Sequence, residues 1–171
     1  MILGIDYSGN AKPHAYAGVE KDKVVVFGSS ASIELIFEEV KGYKIEKVYF
    51  ESPFSLHNKG MSLELAKVTA RIEVCCEQRG LEYGQFPGAN WQEPLKKAFG
   101  VPRKKPVGLS EHGYHLIKYR AYRTYARSLL RNHPYIVTDD EVAAICIASH
   151  GFKLLQDRAL ANKAKKREPV K

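Results

Sequence analysis

The run Ile2-Leu3-Gly4-Ile5-Asp6-Tyr7 decides how the rest of this chain is read. It is short and apolar, and Ser8-Gly9-Asn10 stops it, so it reads as a buried strand that ends in a turn. Asp6 therefore sits near a strand end, against a core where a carboxylate is disfavoured unless it is paired or bound to a metal. The pattern recurs. Lys47-Val48-Tyr49-Phe50-Glu51 is a second apolar strand that ends in an acid and is halted by Ser52-Pro53, and Asp139-Asp140-Glu141 opens the apolar run from Val142 to Ala148.

Working outward, Ala15 to Glu20 and Lys23 to Gly28 are β-rich and separated only by Lys21-Asp22, so the first three strands form an antiparallel meander. Ser32 caps a helix over Ile33 to Val40, whose positions 33, 36, 37 and 40 share a face. The spacing of Leu63, Leu65, Ala66, Val68, Ile72, Val74 and Cys75 predicts a long core helix from Met61 to Gln78, with Gly80 as its stop. Leu81 to Phe86 follows as a strand, Trp91 to Phe99 as a short amphipathic helix and Gly100 to Gly108 as a basic loop. A basic helix runs from His115 to Leu130, and a last helix from about Asp139 to Leu155. This order predicts an α/β fold with a mixed five-stranded sheet and helices on both faces. The expected organisation is one domain over residues 1–155, followed by a basic tail over 156–171 that carries Lys163, Lys165, Lys166 and Arg167.

At 171 residues and 44% hydrophobic, the chain has enough apolar material for one buried core. Its 27 Lys and Arg against 19 Asp and Glu give a formal charge of +8, the sign expected of a protein that neutralises phosphates. Cys75, Cys76 and Cys146 lie among apolar residues without the spacing of a zinc or redox motif, which fits buried thiols in a reducing compartment. No apolar run is long enough to span a membrane, so a bacterial or phage-infected cytoplasm is expected, and an organellar protein without its transit peptide would look the same. There is no GxGxxG cradle and no supported Ser-His-Asp or Cys-His arrangement.

The three acidic clusters carry the chemistry. Adjacent parallel strands would set Asp6 beside Glu51 at one sheet edge, and a helix start bearing Asp140 could lean across them. Such hard oxygen donors suit Mg²⁺, with Mn²⁺ able to substitute, and a pair of these ions about 4 Å apart can activate water in phosphodiester cleavage. Each cluster also has a plain structural reading: acids favour helix starts, and a strand end can be solvated.

Taken together, Met1-Ile-Leu-Gly-Ile-Asp-Tyr-Ser-Gly9, Val48-Tyr-Phe-Glu51 and Asp140-Glu-Val-Ala-Ala-Ile-Cys-Ile-Ala148 resemble the motifs of RuvC-type Holliday junction resolvases, in a phage-like branch of the ribonuclease-H-like superfamily. The resemblance covers most of residues 1–150. It implies a ribonuclease-H-like fold, a homodimer that cuts four-way DNA junctions, and Asp6, Glu51 and Asp140 as catalytic metal ligands. It also implies a catalytic Lys118 close to the cleaved phosphate, and Phe54 as an aromatic wedge at the junction centre. The family's second last-helix Asp falls on Ala143 here. Either Asp139 or Glu141 takes its place, or a second ion has one ligand fewer, or the protein binds junctions and cuts them poorly. Asp140-x-x-Ala143 is also similar to the YqgF branch, which leaves RNA open as a substrate, and a branched or flap DNA nuclease is a further reading.

The remaining DNA contacts are expected from charge. Lys59 extends the Phe54 loop, while Lys104 and Lys105 in the basic loop, with Lys118, Arg120 and Arg123 on the basic helix, suit backbone contacts that position a duplex.

Overall fold

The structure is a computed structural model. It describes the backbone of residues 1–8, 12–52, 59–130 and 137–165, and the side chains of these apart from 59–62 and 163–165. The elements run β1 (Ile2–Asp6), β2 (His14–Glu20), β3 (Lys23–Ser30), α1 (Ile33–Glu39), β4 (Lys47–Glu51), α2 (Lys59–Gln78), β5 (Tyr83–Phe86), α3 (Gly88–Ala98), α4 (Glu111–Leu130) and α5 (Asp139–Lys165).

The five strands form one mixed sheet in the order β3-β2-β1-β4-β5. The meander is as the sequence predicts: β1–β2 and β2–β3 pair antiparallel. Lys21 and Asp22 make the two-residue β2–β3 hairpin with φ of 47° and 60°, the left-handed pair that matches the twist of the flanking strands. The parallel pairs β1–β4 and β4–β5 put β1 and β4 at the centre, where strands must be apolar on both sides.

Strand alternation then sorts the core into two layers. Ile2, Ala15, Ala17, Tyr49 and Phe86 face α3, α4 and α5, whereas Leu3, Ile5, Tyr16, Val48 and Phe50 face α1 and α2. Ser32 caps α1, its hydroxyl accepting from Leu35 N at 3.3 Å, and Gly80 (φ 62°) lies just beyond the end of α2.

Helix α5 crosses the sheet in close contact. A Cβ on Gly4 would lie 2.5 Å from the Ala144 carbonyl oxygen and from Ala148 N, so β1 touches the helix backbone directly. The run Val142 to Ser149 is buried between sheet and α4, which explains a helix that is apolar all round in this stretch. Gly151 continues the fit, since a Cβ there would strike the Tyr49 ring.

Three boundaries move by three residues or more from the sequence reading, the first being the start of α4 at Glu111, ahead of the expected His115. α5 continues past Leu155 to Lys165, so residues 156–165 of the expected basic tail are helix. Their Ala, Leu, Gln, Lys and Arg content favours helix, and no Gly or Pro interrupts it. α3 begins at Gly88, ahead of the expected Trp91, with Pro87 at the cap position. Among the described residues, no helix is long and apolar enough to cross a membrane.

Candidate functional site

The period of two in β1 and β4 puts Asp6 and Glu51 on the side of the sheet that α5 covers. The parallel register Gly4↔Tyr49 and Ile5↔Phe50 brings the two strand ends level, so the carboxylates are neighbours. α5 lies over Gly4 through Ala144 and Ala148, one turn and two turns beyond Asp140, so its exposed first turn overhangs the same edge. The three acids named from sequence are thus brought together.

Their electrostatics follow. Burial first, then the charges of Glu51 and Asp140, push the Asp6 carboxyl from 3.8 up to about 8. Burial also raises Glu51, and a hydrogen bond from Trp91 opposes that rise. The end of β4 is pinned by Tyr7, whose hydroxyl donates to the Glu51 carbonyl at 2.8 Å and accepts from Thr69 Oγ1 at 3.1 Å.

Asp139 and Glu141 have other engagements. Arg123 donates to Asp139 Oδ1 from Nε at 3.0 Å and from Nη2 at 2.6 Å, and His115 Nε2 stands 3.6 Å from Oδ2. Glu141 closes a capping box with Thr138. Thr138 N donates to Glu141 Oε2 at 2.8 Å, and Glu141 N donates to Thr138 Oγ1 at 3.2 Å. Ala143 is 3% exposed and belongs to the core. Among the described residues, no three His, Cys, Asp or Glu side chains already converge closely enough to hold a metal ion.

Of the residues expected to touch DNA, Lys118 places its ammonium over the Tyr114 ring, 5.1 Å from the centroid. Lys105 pairs with Glu111 at 2.7 Å, and Arg123 is the Asp139 partner just described. Lys104 and Arg120 are exposed, with no ion pair among the described residues. Phe54 lies outside the described residues, as does the Lys59 side chain.

Sequence reading sees Tyr119 and Tyr122 only as tyrosines interleaved with the cations of the basic helix, and misses that they join an aromatic wall along this site. His115 stacks on Tyr119 (4.3 Å between centroids), Tyr119 meets Tyr122 edge-on (5.4 Å), and Tyr122 meets Trp91 edge-on (5.0 Å). The chain runs from the partner of Asp139 at one end to the partner of Glu51 at the other. Tyr119 stands within the field of Asp6, Asp139, Asp140 and Glu51, and burial plus these charges hold its phenol well above the usual range. The i, i+4 spacing of His115 and Tyr119 was visible, but nothing in it pointed to acids from three other elements.

The chain is similar in structure to Thermus thermophilus RuvC in complex with a Holliday junction substrate, at a TM-score of 0.62 and 12% identity over 90% of this chain and 94% of that one. A second Thermus thermophilus RuvC structure gives 0.60 and 11%, over 90% and 95%. The fold is RuvC-like. No family model matches the sequence, and no curated protein matches it either. The RuvC-like fold bears out the ribonuclease-H-like architecture expected from the motifs, including the mixed sheet and its two helical layers. At this identity the likeness concerns architecture, and the assignment to a phage-like branch goes beyond it.

Proposed function

We propose that this chain is a metal-dependent endonuclease that cuts branched DNA, with the four-way junction as its preferred substrate and a homodimer as its working form. The observation that carries the reading is the gathering of Asp6, Glu51 and Asp140 at one edge of a RuvC-like sheet. The similar Thermus thermophilus structure is a complex with a Holliday junction substrate, which supports the choice of branched DNA. A net charge of +8 supports a polyanionic partner, and a two-fold substrate suits a two-fold dimer.

The donor set fits a hard divalent cation. Asp6 lies within the field of Glu51 and Asp140, where burial and these charges push it up to about 8, and a cation there would draw the three side chains together and favour the ionised form. Asp6, Glu51 and Asp140 would hold Mg²⁺, or Mn²⁺ in its place. The ion, when bound, lowers the pKa of water and stabilises charge on phosphate oxygens. The residues of the chain do the rest. Asp6 is fixed by the β1 backbone, Glu51 by Trp91 and the end of β4, and Asp140 by the seat of α5 on Gly4. Lys118, released from Tyr114, would supply positive charge to the phosphate. Because Asp139 and Glu141 are held by Arg123 and Thr138, a second ion would have one ligand fewer than in the family pattern.

The test is cleavage of a synthetic four-way junction beside its linear duplex, a flap and an RNA of matched sequence, in Mg²⁺, Mn²⁺ and EDTA. Paired nicks confined to the junction, lost in EDTA and in Asp6→Asn, are expected. Full cleavage by Asp6→Asn in saturating Mg²⁺ would overturn the reading.

One observation favours a second reading, a junction-binding protein without catalysis: both acids that could replace Ala143 are tied to protein partners. Tight junction binding in EDTA with no product in Mn²⁺ would select it.

A further inference from the structure

We propose that Trp91 is a positioning residue that fixes the Glu51 carboxylate in the acid site, an inference that rests on the nuclease reading above for its consequence in catalysis. Trp91 Nε1–H donates to Glu51 Oε1. On the other side, α3 begins against the same carboxylate: a Cβ on Gly88 would lie 2.8 Å from Oε2 and 2.9 Å from Oε1. Glu51 is therefore held between the indole donor and the close-packed backbone of the first residue of α3. Hydrogen bonding of Oε1 to the indole settles which oxygen is committed and leaves Oε2 as the one free of that bond.

The indole itself has no freedom to wander. Trp91 is 2% exposed, and its ring meets Tyr122, which meets Tyr119, which stacks on His115 beside Asp139. The three-dimensional link from Asp139 at the start of α5 to Glu51 at the end of β4 thus runs through side chains of α3 and α4, independently of the sheet. Glu51 has a long, rotatable side chain at the end of a strand, and without Trp91 nothing else among its described contacts fixes the carboxylate by a hydrogen bond. A positioned carboxylate costs less to organise when a metal or a phosphate arrives.

The chain contains a single tryptophan, so one indole N–H signal reports this contact. The experiment uses the full-length, metal-free, ¹⁵N-labelled protein and compares wild type, Glu51→Ala and Gly88→Ala by NMR. The wild-type indole proton is expected downfield of free indole, and its signal is expected to move toward the free position in Glu51→Ala and to be displaced in Gly88→Ala. Junction cleavage by Trp91→Phe, which keeps an aromatic ring and removes the donor, is expected to fall on the order of tenfold in kcat with KM for the junction unchanged. If Trp91→Phe does not fold, Gly88→Ala serves in its place, because it presses on the carboxylate and leaves the indole intact. An indole signal that ignores Glu51→Ala, or a folded Trp91→Phe with the kcat of wild type, overturns the proposal. Should wild type cut nothing while its indole signal still answers to Glu51, the nuclease reading falls and the positioning contact stands.

Discussion

Asp6 should make the protein in EDTA weaker as the pH rises, and Asp6→Asn should remove that weakness together with the proposed activity. The carboxyl is raised from 3.8 to about 8 by burial and by Glu51 and Asp140. Between those two values the folded state binds a proton that the unfolded chain has released, so stability falls as pH increases through the window and the loss is complete above about pH 8. Taken at face value the shift corresponds to about 6 kcal/mol. Asp6 is only partly buried by surface area and shares its field with two other acids, so solvent screening and relaxation reduce this to roughly 2 kcal/mol. Asn is nearly isosteric and cannot ionise. In EDTA, Asp6→Asn should therefore melt about 4–8 °C above wild type at pH 9, with the gap closing toward pH 4. Scanning calorimetry of both proteins from pH 4 to 9 reads the difference directly, which cancels the titration of groups common to both. Under the proposed function, saturating Mg²⁺ should narrow or reverse the gap at pH 9, since the proposed ion would bind the intact acid site alone. A difference that does not grow with pH, or a wild type that melts higher than Asp6→Asn at pH 9 in EDTA, would refute the argument that this carboxyl is forced toward neutrality by its surroundings.

Further outcomes follow from the neighbours of that site. Glu141→Ala opens the capping box at the start of α5 and should lower stability by about 1 kcal/mol, a fall of about 2–4 °C in Tm, while junction cleavage is retained. Ala143→Asp should destabilise the protein by about 3 kcal/mol or more in urea titration, because position 143 is 3% exposed and offers a charge no water. Gly4→Ala drives a methyl into the backbone of α5 at 2.5 Å and should cost about 3 kcal/mol, seen as a lower urea midpoint, with loss of cleavage in whatever fraction remains folded.

Much of the fold was legible because its signals are local. β4 has the predicted bounds Lys47–Glu51, and alternation along two parallel strands is enough to set Asp6 beside Glu51. The capping box was equally readable, since Thr138 and Glu141 have the spacing of that motif, and it reassigns an acid that had seemed available for metal. The Trp91–Glu51 contact was not readable. The two residues are 40 apart in sequence, and their meeting depends on where α3 docks, which no periodicity encodes. The same holds for Arg123 and Asp139, 16 residues apart on different helices: a basic helix reads as a DNA surface until tertiary packing supplies an acid. Residues 156–165 were misread because net basic charge resembles a solvated tail, whereas their helix propensity is high.

The direct contact of Gly4 with Ala144 and Ala148 has a mechanical consequence for the acid site. Helices that pack on sheets through large side chains can shift as those side chains change rotamer, so the gap between them has play. Here there is backbone against backbone and no such cushion. The spacing between the end of β1 and the first turn of α5 is a fixed gauge of the fold, set two residues from Asp6 and one turn from Asp140. Adjustment of the acid site to an ion would therefore fall to the side chains of Asp6, Glu51 and Asp140 and not to the backbone that carries them.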